Sequence, residues 1–242
     1  MKKLIVANWK MNPATEKEAK KLFESVKRGV KTAKNAEVVI CPPFVYLPLF
    51  KGLTLGAQNV FFKEKGAFTG EVSALMLKDL GVKYVILGHS EARKYSNETD
   101  EIINKKIKEC LLVKLKPILC IGEKEKNKKF EVLKEQITKD LRGIINHKSK
   151  ILNLIIAYEP VWAIGTGNNC SIDETMSSIL FIRKIIAKLY SRELASKMRI
   201  LYGGSVTSEN SNSYIDSAGA DGLLVGGASL NVKDFIKIVK SV

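Results

Sequence analysis

A glutamate at the end of an apolar run is the first residue in this chain whose surroundings suggest chemistry. Leu154-Ile155-Ile156-Ala157-Tyr158 reads as a buried strand that delivers Glu159 at its C-terminal end and stops at Pro160. The residues that follow, from Val161 to Gly167, are apolar and glycine-rich, and helical periodicity begins at Ser171. A carboxylate between a strand end and a mobile loop is a candidate general base. Closure of such a loop excludes water, and a carboxylate stripped of water is the stronger base. Two further glycine-rich turns come late, Tyr202-Gly203-Gly204-Ser205-Val206 and Leu224-Val225-Gly226-Gly227-Ala228-Ser229. Glycines let main-chain N–H groups approach an anion, so Ser205, Gly226 and Gly227 are candidates for holding a phosphate.

The elements that must position these residues follow one rhythm. A first strand ends in Asn8-Trp9-Lys10, and Thr15 to Val30 carries Ala19, Leu22, Phe23, Val26 and Val30 as a helical stripe. Strands are predicted over Val38–Cys41, Leu53–Asn59, within Gly81–Leu87, over Pro117–Ile121, Arg199–Tyr202 and Leu223–Val225. Helices are predicted over Ser73–Leu80, Glu98–Val113, Phe130–Ile145 and Ile172–Tyr190, with a short one from Ser208 and a last one from Val232. Strands with little polar interruption, alternating with amphipathic helices, imply a parallel sheet covered by helices. Eight such units fit 242 residues as one domain, residues 1–242. An open doubly wound sheet would carry G-x-G-x-x-G after its first strand, and this chain does not. Phosphate loops after strands seven and eight suit a closed barrel, in which strand C-terminal ends converge on one face.

Composition narrows the classes. No apolar stretch approaches the roughly 18 residues of a membrane span, and the short run after Lys2-Lys3 ends in Asn8-Trp9-Lys10 without a signal cleavage site. A soluble, cytoplasmic protein with no membrane partner is expected. Cys41, Cys110, Cys120 and Cys170 form no C-x-x-C pair and only two histidines are present, so free thiols are expected and no metal site. The net charge of +15 is large; it could attract nucleic acid or an anionic surface, or raise the local concentration of an anionic substrate. Glutamates interleaved with the lysines favour solvated helix faces, so no obligatory nucleic acid partner is expected.

Several ordered stretches resemble triosephosphate isomerases: NWKMN from Asn8, GHSE from Gly88, CIGE from Cys120, AYEPVWAIGTG from Ala157, YGGSV from Tyr202 and DGLLVGGAS from Asp221. They span nearly the whole chain. The resemblance implies a single-domain (β/α)8 TIM barrel with parallel strands. It implies interconversion of dihydroxyacetone phosphate and D-glyceraldehyde 3-phosphate through an enediol(ate), in glycolysis and gluconeogenesis, with no metal or organic cofactor. Glu159 is then the base, His89 the electrophile, Lys10 a fixed positive charge, and Asn8 its orienting partner and a donor to substrate. Glu91 supports Lys10 across the site, and Cys120 packs near the base. The substrate-binding set becomes Asn8, Lys10, Gly165 in the lid, Ser205, Gly226 and Gly227. This family is itself the type case of a neutral histidine electrophile at a helix N-terminus, so that role for His89 is taken over from the resemblance.

The resemblance also implies a homodimer through loop 61–72, whose tip near Thr69 enters beside the partner's Asn8 and Lys10. Two departures stand out. Ala92-Arg93 replaces the usual pair of arginines, which leaves Arg93 or packing to compensate opposite Glu71, and the lid ends Gly167-Asn168-Asn169-Cys170 without the common lysine. Two rivals remain: another phosphate-binding barrel isomerase, which leaves NWK, GHSE and AYEP unexplained, and a basic barrel with an added anionic-polymer-binding role, which leaves the site unexplained.

Overall fold

The computed structural model describes residues 2–144, 151–163 and 169–242. Eight parallel strands close into a barrel in sequence order: β1 (Lys3–Asn8), β2 (Ala36–Cys41), β3 (Thr54–Ala57), β4 (Tyr84–Leu87), β5 (Lys116–Ile121), β6 (Ile155–Tyr158), β7 (Ile200–Tyr202) and β8 (Gly222–Val225). The seam closes where β8 pairs with β1, Gly222 opposite Leu4 and Val225 opposite Ala7. Alternation along each strand divides the side chains. Leu4, Val6, Tyr84, Ile86, Ile118 and Cys120 fill the barrel interior, while Ile5, Ala7, Val85, Leu87 and Leu119 point out to the helices.

Helix α1 (Glu16–Val30) buries the five predicted residues, and its start is fixed by a capping box between Thr15 and Glu18. The same device, Ser171 with Glu174, starts α6 (Ile172–Leu189). In the second unit Pro48 prevents an α-helix, and Phe44–Leu49 forms a 3-10 turn instead. The third unit carries α2 (Ala74–Asp79). The helix predicted over Glu98–Val113 is α4 (Asp100–Leu112), which starts two residues later under a Thr99 cap and follows a short helix, α3 (Ser90–Tyr95). Glu98 falls between them, buried, where it accepts the Gly88 N–H at 3.3 Å and pairs with Lys106. Helix α5 is Lys129–Asp140, shorter than predicted, and the predicted end at Ile145 lies outside the described residues. Helix α7 (Arg192–Lys197) has no counterpart in the predicted elements; α8 (Ser211–Asp216) and α9 (Val232–Lys240) complete the ring.

The N-terminal end of the barrel is closed by polar side chains. Tyr84 donates to Glu37, which Arg199 also holds at 2.8 Å. Burial works against the Glu37 carboxylate, but the Tyr84 and Arg199 hydrogen bonds outweigh it and keep the carboxyl below its ordinary value. All four cysteines are free and buried.

Arg93 turns inward rather than toward a neighbour. It donates to the Gly88 carbonyl at 2.8 Å, contacts Asp100 at 2.5 Å and reaches Asp140 at 2.9 Å. It is therefore not available to replace the missing arginine opposite Glu71, which corrects the compensation expected from sequence. Burial pushes the Asp140 carboxyl from 3.8 up to about 8, with Arg93 pulling the other way. A folded-state value raised above the unfolded one contributes stability below the unfolded value that is lost as pH rises through the folded value. The thermal midpoint should thus fall as pH rises from about 4 to about 8, and Asp140→Asn should flatten that slope. An unchanged slope in the variant would remove Asp140 as its source.

Candidate active site

The C-terminal ends of β1, β4, β6, β7 and β8 surround a cavity of about 550 Å³. Asn8, Lys10, His89, Glu159, Ser205, Gly226 and Gly227 all line it, joined by Asn169, Gly203 and Gly204. The structure brings these sequence-predicted residues together. Glu91 does not line this cavity; it borders an adjoining one of about 300 Å³ on the far side of Lys10, with Met11, Gln58 and Ala92. Gly165 lies outside the described residues.

Glu159 is 2 % exposed at the end of β6. Its Oε2 accepts from the Ser90 N–H at 3.3 Å. Its Oε1 lies 3.3 Å from His89 Nε2 without the alignment of a hydrogen bond, and is otherwise unpartnered. Two glycines make room for it. A Cβ on Gly122 would stand 1.6 Å from the Glu159 carbonyl oxygen, and one on Gly203 would stand 2.9 Å from its Cγ. Both lie in stretches visible in the sequence, CIGE and YGGSV, but only packing shows that any larger residue would displace the carboxylate.

His89 caps α3: its Nδ1 accepts the Glu91 N–H at 3.2 Å. A nitrogen that accepts a hydrogen bond carries no proton, so the imidazole is neutral and its proton sits on Nε2, facing the cavity. The 3.7 Å approach of Glu91 Oε2 to the same Nδ1 is therefore a contact and not an ion pair. Gly88, the residue before His89, is held from both sides, its N–H by Glu98 and its C=O by Arg93.

Lys10 sits at φ 54, a left-handed conformation costly for a residue with a Cβ. Three groups hold it there. Asn8 Oδ1 accepts its N–H at 3.0 Å, Gln58 Nε2 donates to its carbonyl at 2.8 Å, and Glu91 Oε1 lies 2.5 Å from its Nζ. Gln58 also donates to the Cys41 carbonyl at 2.9 Å. Nothing in the sequence marked Gln58, because its role comes from a strand-end position on β3 that faces Lys10 across the barrel rim.

Gly226 and Gly227 open a 3-10 turn, Gly227–Leu230, rather than the final helix. Helix α9 begins later, and the Asn231 side chain already accepts from its Lys233 and Asp234 N–H groups. The residues that line the cavity at this corner therefore belong to a glycine turn and not to the first turn of α9. Ser205 Oγ donates to the Ala163 carbonyl at 2.8 Å, tying the β7 loop to the start of the lid. Burial and the neighbouring Glu159 push the Cys120 thiol well above its ordinary value, so it stays protonated and packs beside the base without serving as a nucleophile.

The charge does not gather here. Among the described residues, the loops after the strands, with the first helical turns, carry more carboxylates than cations; the cationic excess lies at the other end of the barrel. The +15 excess is not arranged to concentrate an anionic substrate at this mouth.

A family model described as triosephosphate isomerase matches residues 3–242. Proteins named triosephosphate isomerase from Thermoanaerobacter pseudethanolicus and Caldanaerobacter subterraneus subsp. tengcongensis are 49% and 48% identical, each over 98% of this chain and 98% of the relative. One of that name from Dictyoglomus turgidum is 45% identical over 99% of both chains. With likeness of this extent, and the strand-end residues gathered around one cavity, the chain belongs to the triosephosphate isomerase family.

Proposed function

We infer that this chain, acting as one domain over residues 1–242, interconverts dihydroxyacetone phosphate and D-glyceraldehyde 3-phosphate, a step of glycolysis and gluconeogenesis. The observation that carries the reading is the meeting of Glu159, neutral His89 and Lys10 on one cavity whose far wall is the Ser205 and Gly226–Gly227 turns. Glu159 leaves Ser90 and takes a proton from the carbon next to the carbonyl. His89 Nε2–H donates to the oxygen on which negative charge develops, and Lys10 Nζ stabilises that charge electrostatically. Glu159 returns the proton to the neighbouring carbon, while the hydroxyl proton passes from the oxygen of the first carbon to that of the second by way of His89 Nε2, so the atoms balance. The proton leaves and returns by one carboxylate, so the reaction consumes no cofactor. Main-chain N–H groups of Gly226, Gly227 and the lid, Gly165 included, with Ser205, bind the phosphate dianion. A coupled assay of triose phosphate interconversion on the purified protein tests this; well-folded protein without activity would reject it.

The active form is a homodimer in the cytoplasm. Support comes from loop 61–72, where Phe61, Phe62 and Phe68 pack with ring centroids 4.3 and 4.8 Å apart and Phe68 stays 41% exposed. The 300 Å³ cavity beside Lys10, edged by Met11 at 92% exposure, suits the tip of a partner's loop. Val45, Leu75 and Met76 extend the same apolar surface. A rim ion pair contributes only about 0–1 kcal/mol, so Ala92 opposite Glu71 weakens association without abolishing it. Phe68→Asp should give monomers of sharply reduced activity by sedimentation and assay, and a fully active wild-type monomer would overturn the assignment.

A further inference from the structure

We propose that the end of the barrel opposite the active site docks on an anionic bilayer surface. Leucines of its turns and helix ends enter the headgroup layer, and the neighbouring lysines meet lipid phosphates and carboxylates. The first observation is where the charge lies. Among the described residues, the strand starts, the turns before them and the last helical turns carry more than twice as many cations as carboxylates. Four of those carboxylates are already engaged, Glu37 by Arg199, Asp140 by Arg93, Glu193 by Lys197 and Asp221 by Arg183.

Helix dipoles account for part of this pattern, since cations in a last turn are stabilised by the carbonyl end. They do not account for Lys2, Lys51, Lys83 and Lys114, which lie beyond the helix ends, exposed, just before β1, β3, β4 and β5. Lys114 even occupies a left-handed turn at φ 66, where glycine or asparagine would fit with less strain.

The second observation is apolar. Leu112, the last residue of α4, and Leu152, on the turn before β6, are 57% and 47% exposed ahead of the adjacent strands β5 and β6. Leu80, 42% exposed before β4, continues the row at its edge toward the proposed dimer face. Aliphatic side chains set among lysines at one end of a barrel match an interface with an apolar layer beneath an anionic one. A nucleic acid would offer the leucines nothing, and the exposed aromatics that could stack on bases, Phe68, Tyr95 and Phe130, sit away from this end. The proposal departs from the expectation of no membrane partner; among the described residues no helix is long and apolar enough to cross a membrane, and surface docking needs none.

The test is co-sedimentation of the whole protein with vesicles of phosphatidylcholine alone or mixed with phosphatidylserine, at low and physiological salt. Binding should require the anionic lipid and weaken with salt. Each lysine near such a surface accounts for about fivefold in partitioning, so Lys83→Gln with Lys114→Gln should lower it about 30-fold. Leu112→Ser with Leu152→Ser should lower it about tenfold. Isomerase activity in free solution should be unchanged in both pairs, which also checks that they fold. Equal binding to neutral vesicles, no binding, or binding untouched by either pair would overturn the proposal. So would tighter binding to an RNA duplex with the leucine pair without effect.

Discussion

Replacing Glu159 by glutamine is expected to lower kcat by about 10²–10⁴-fold, the usual contribution of a positioned general base. The amide keeps the size of the side chain, so the space left by Gly203 still accepts it, and the Ser90 N–H still finds an oxygen acceptor. What is lost is the capacity to take a proton from carbon. Shortening to aspartate keeps the carboxylate but withdraws it by about an ångström, a misplacement that costs about a hundredfold. The two variants therefore separate basicity from reach. Substrate binding, read as KM, should move far less than turnover in both. Near wild-type kcat in Glu159→Gln would show that another group abstracts the proton.

Lys10→Met is the second large effect. Removing one preorganised group that stabilises developing charge typically costs about 10²–10³ in kcat, and this cation also lies beside the phosphate-binding turn, so KM should rise as well. The structure gives Lys10 no freedom to be replaced by a neighbour. Its backbone is held at φ 54 by Asn8 and Gln58, and its Nζ by Glu91. Gln58→Leu leaves the ammonium group in place but removes the hydrogen bond that holds the Lys10 carbonyl, together with the one that ties Gln58 to the Cys41 carbonyl. It should lower kcat by a smaller factor, with less change in KM. Wild-type kinetics in Lys10→Met would mean that the positive charge has no part in the transition state.

The barrel was legible because its strands are short apolar runs with turn residues at both ends, and because α1 shows its buried stripe at helical spacing. The catalytic side chains were legible for a related reason: each stands directly after such a run. Local pattern failed where structure depends on contacts through space. The start of α4 two residues after the predicted Glu98 goes with the burial of that side chain against Lys106 and the Gly88 N–H, which a helical stripe does not record. Gln58, Gly122 and Gly203 act on groups far away in sequence. Composition carried the net charge but said nothing of its placement: among the described residues, the loops at the mouth hold more carboxylates than cations, and the cationic excess lies at the opposite end.

The four buried cysteines have a practical consequence. Burial pushes the thiols of Cys41, Cys110, Cys120 and Cys170 above their ordinary values, so each lacks both access and thiolate in the closed molecule. Two of them, Cys41 and Cys120, line the inside of the barrel itself, while Cys110 belongs to the layer between strands and helices. A thiol-specific reagent thus finds nothing to label until a part of the chain opens, and the order in which the four react becomes a record of that opening. Labelling at Cys110 ahead of Cys41 and Cys120 would report helices lifting from an intact barrel; simultaneous labelling would report a barrel that opens only as a whole.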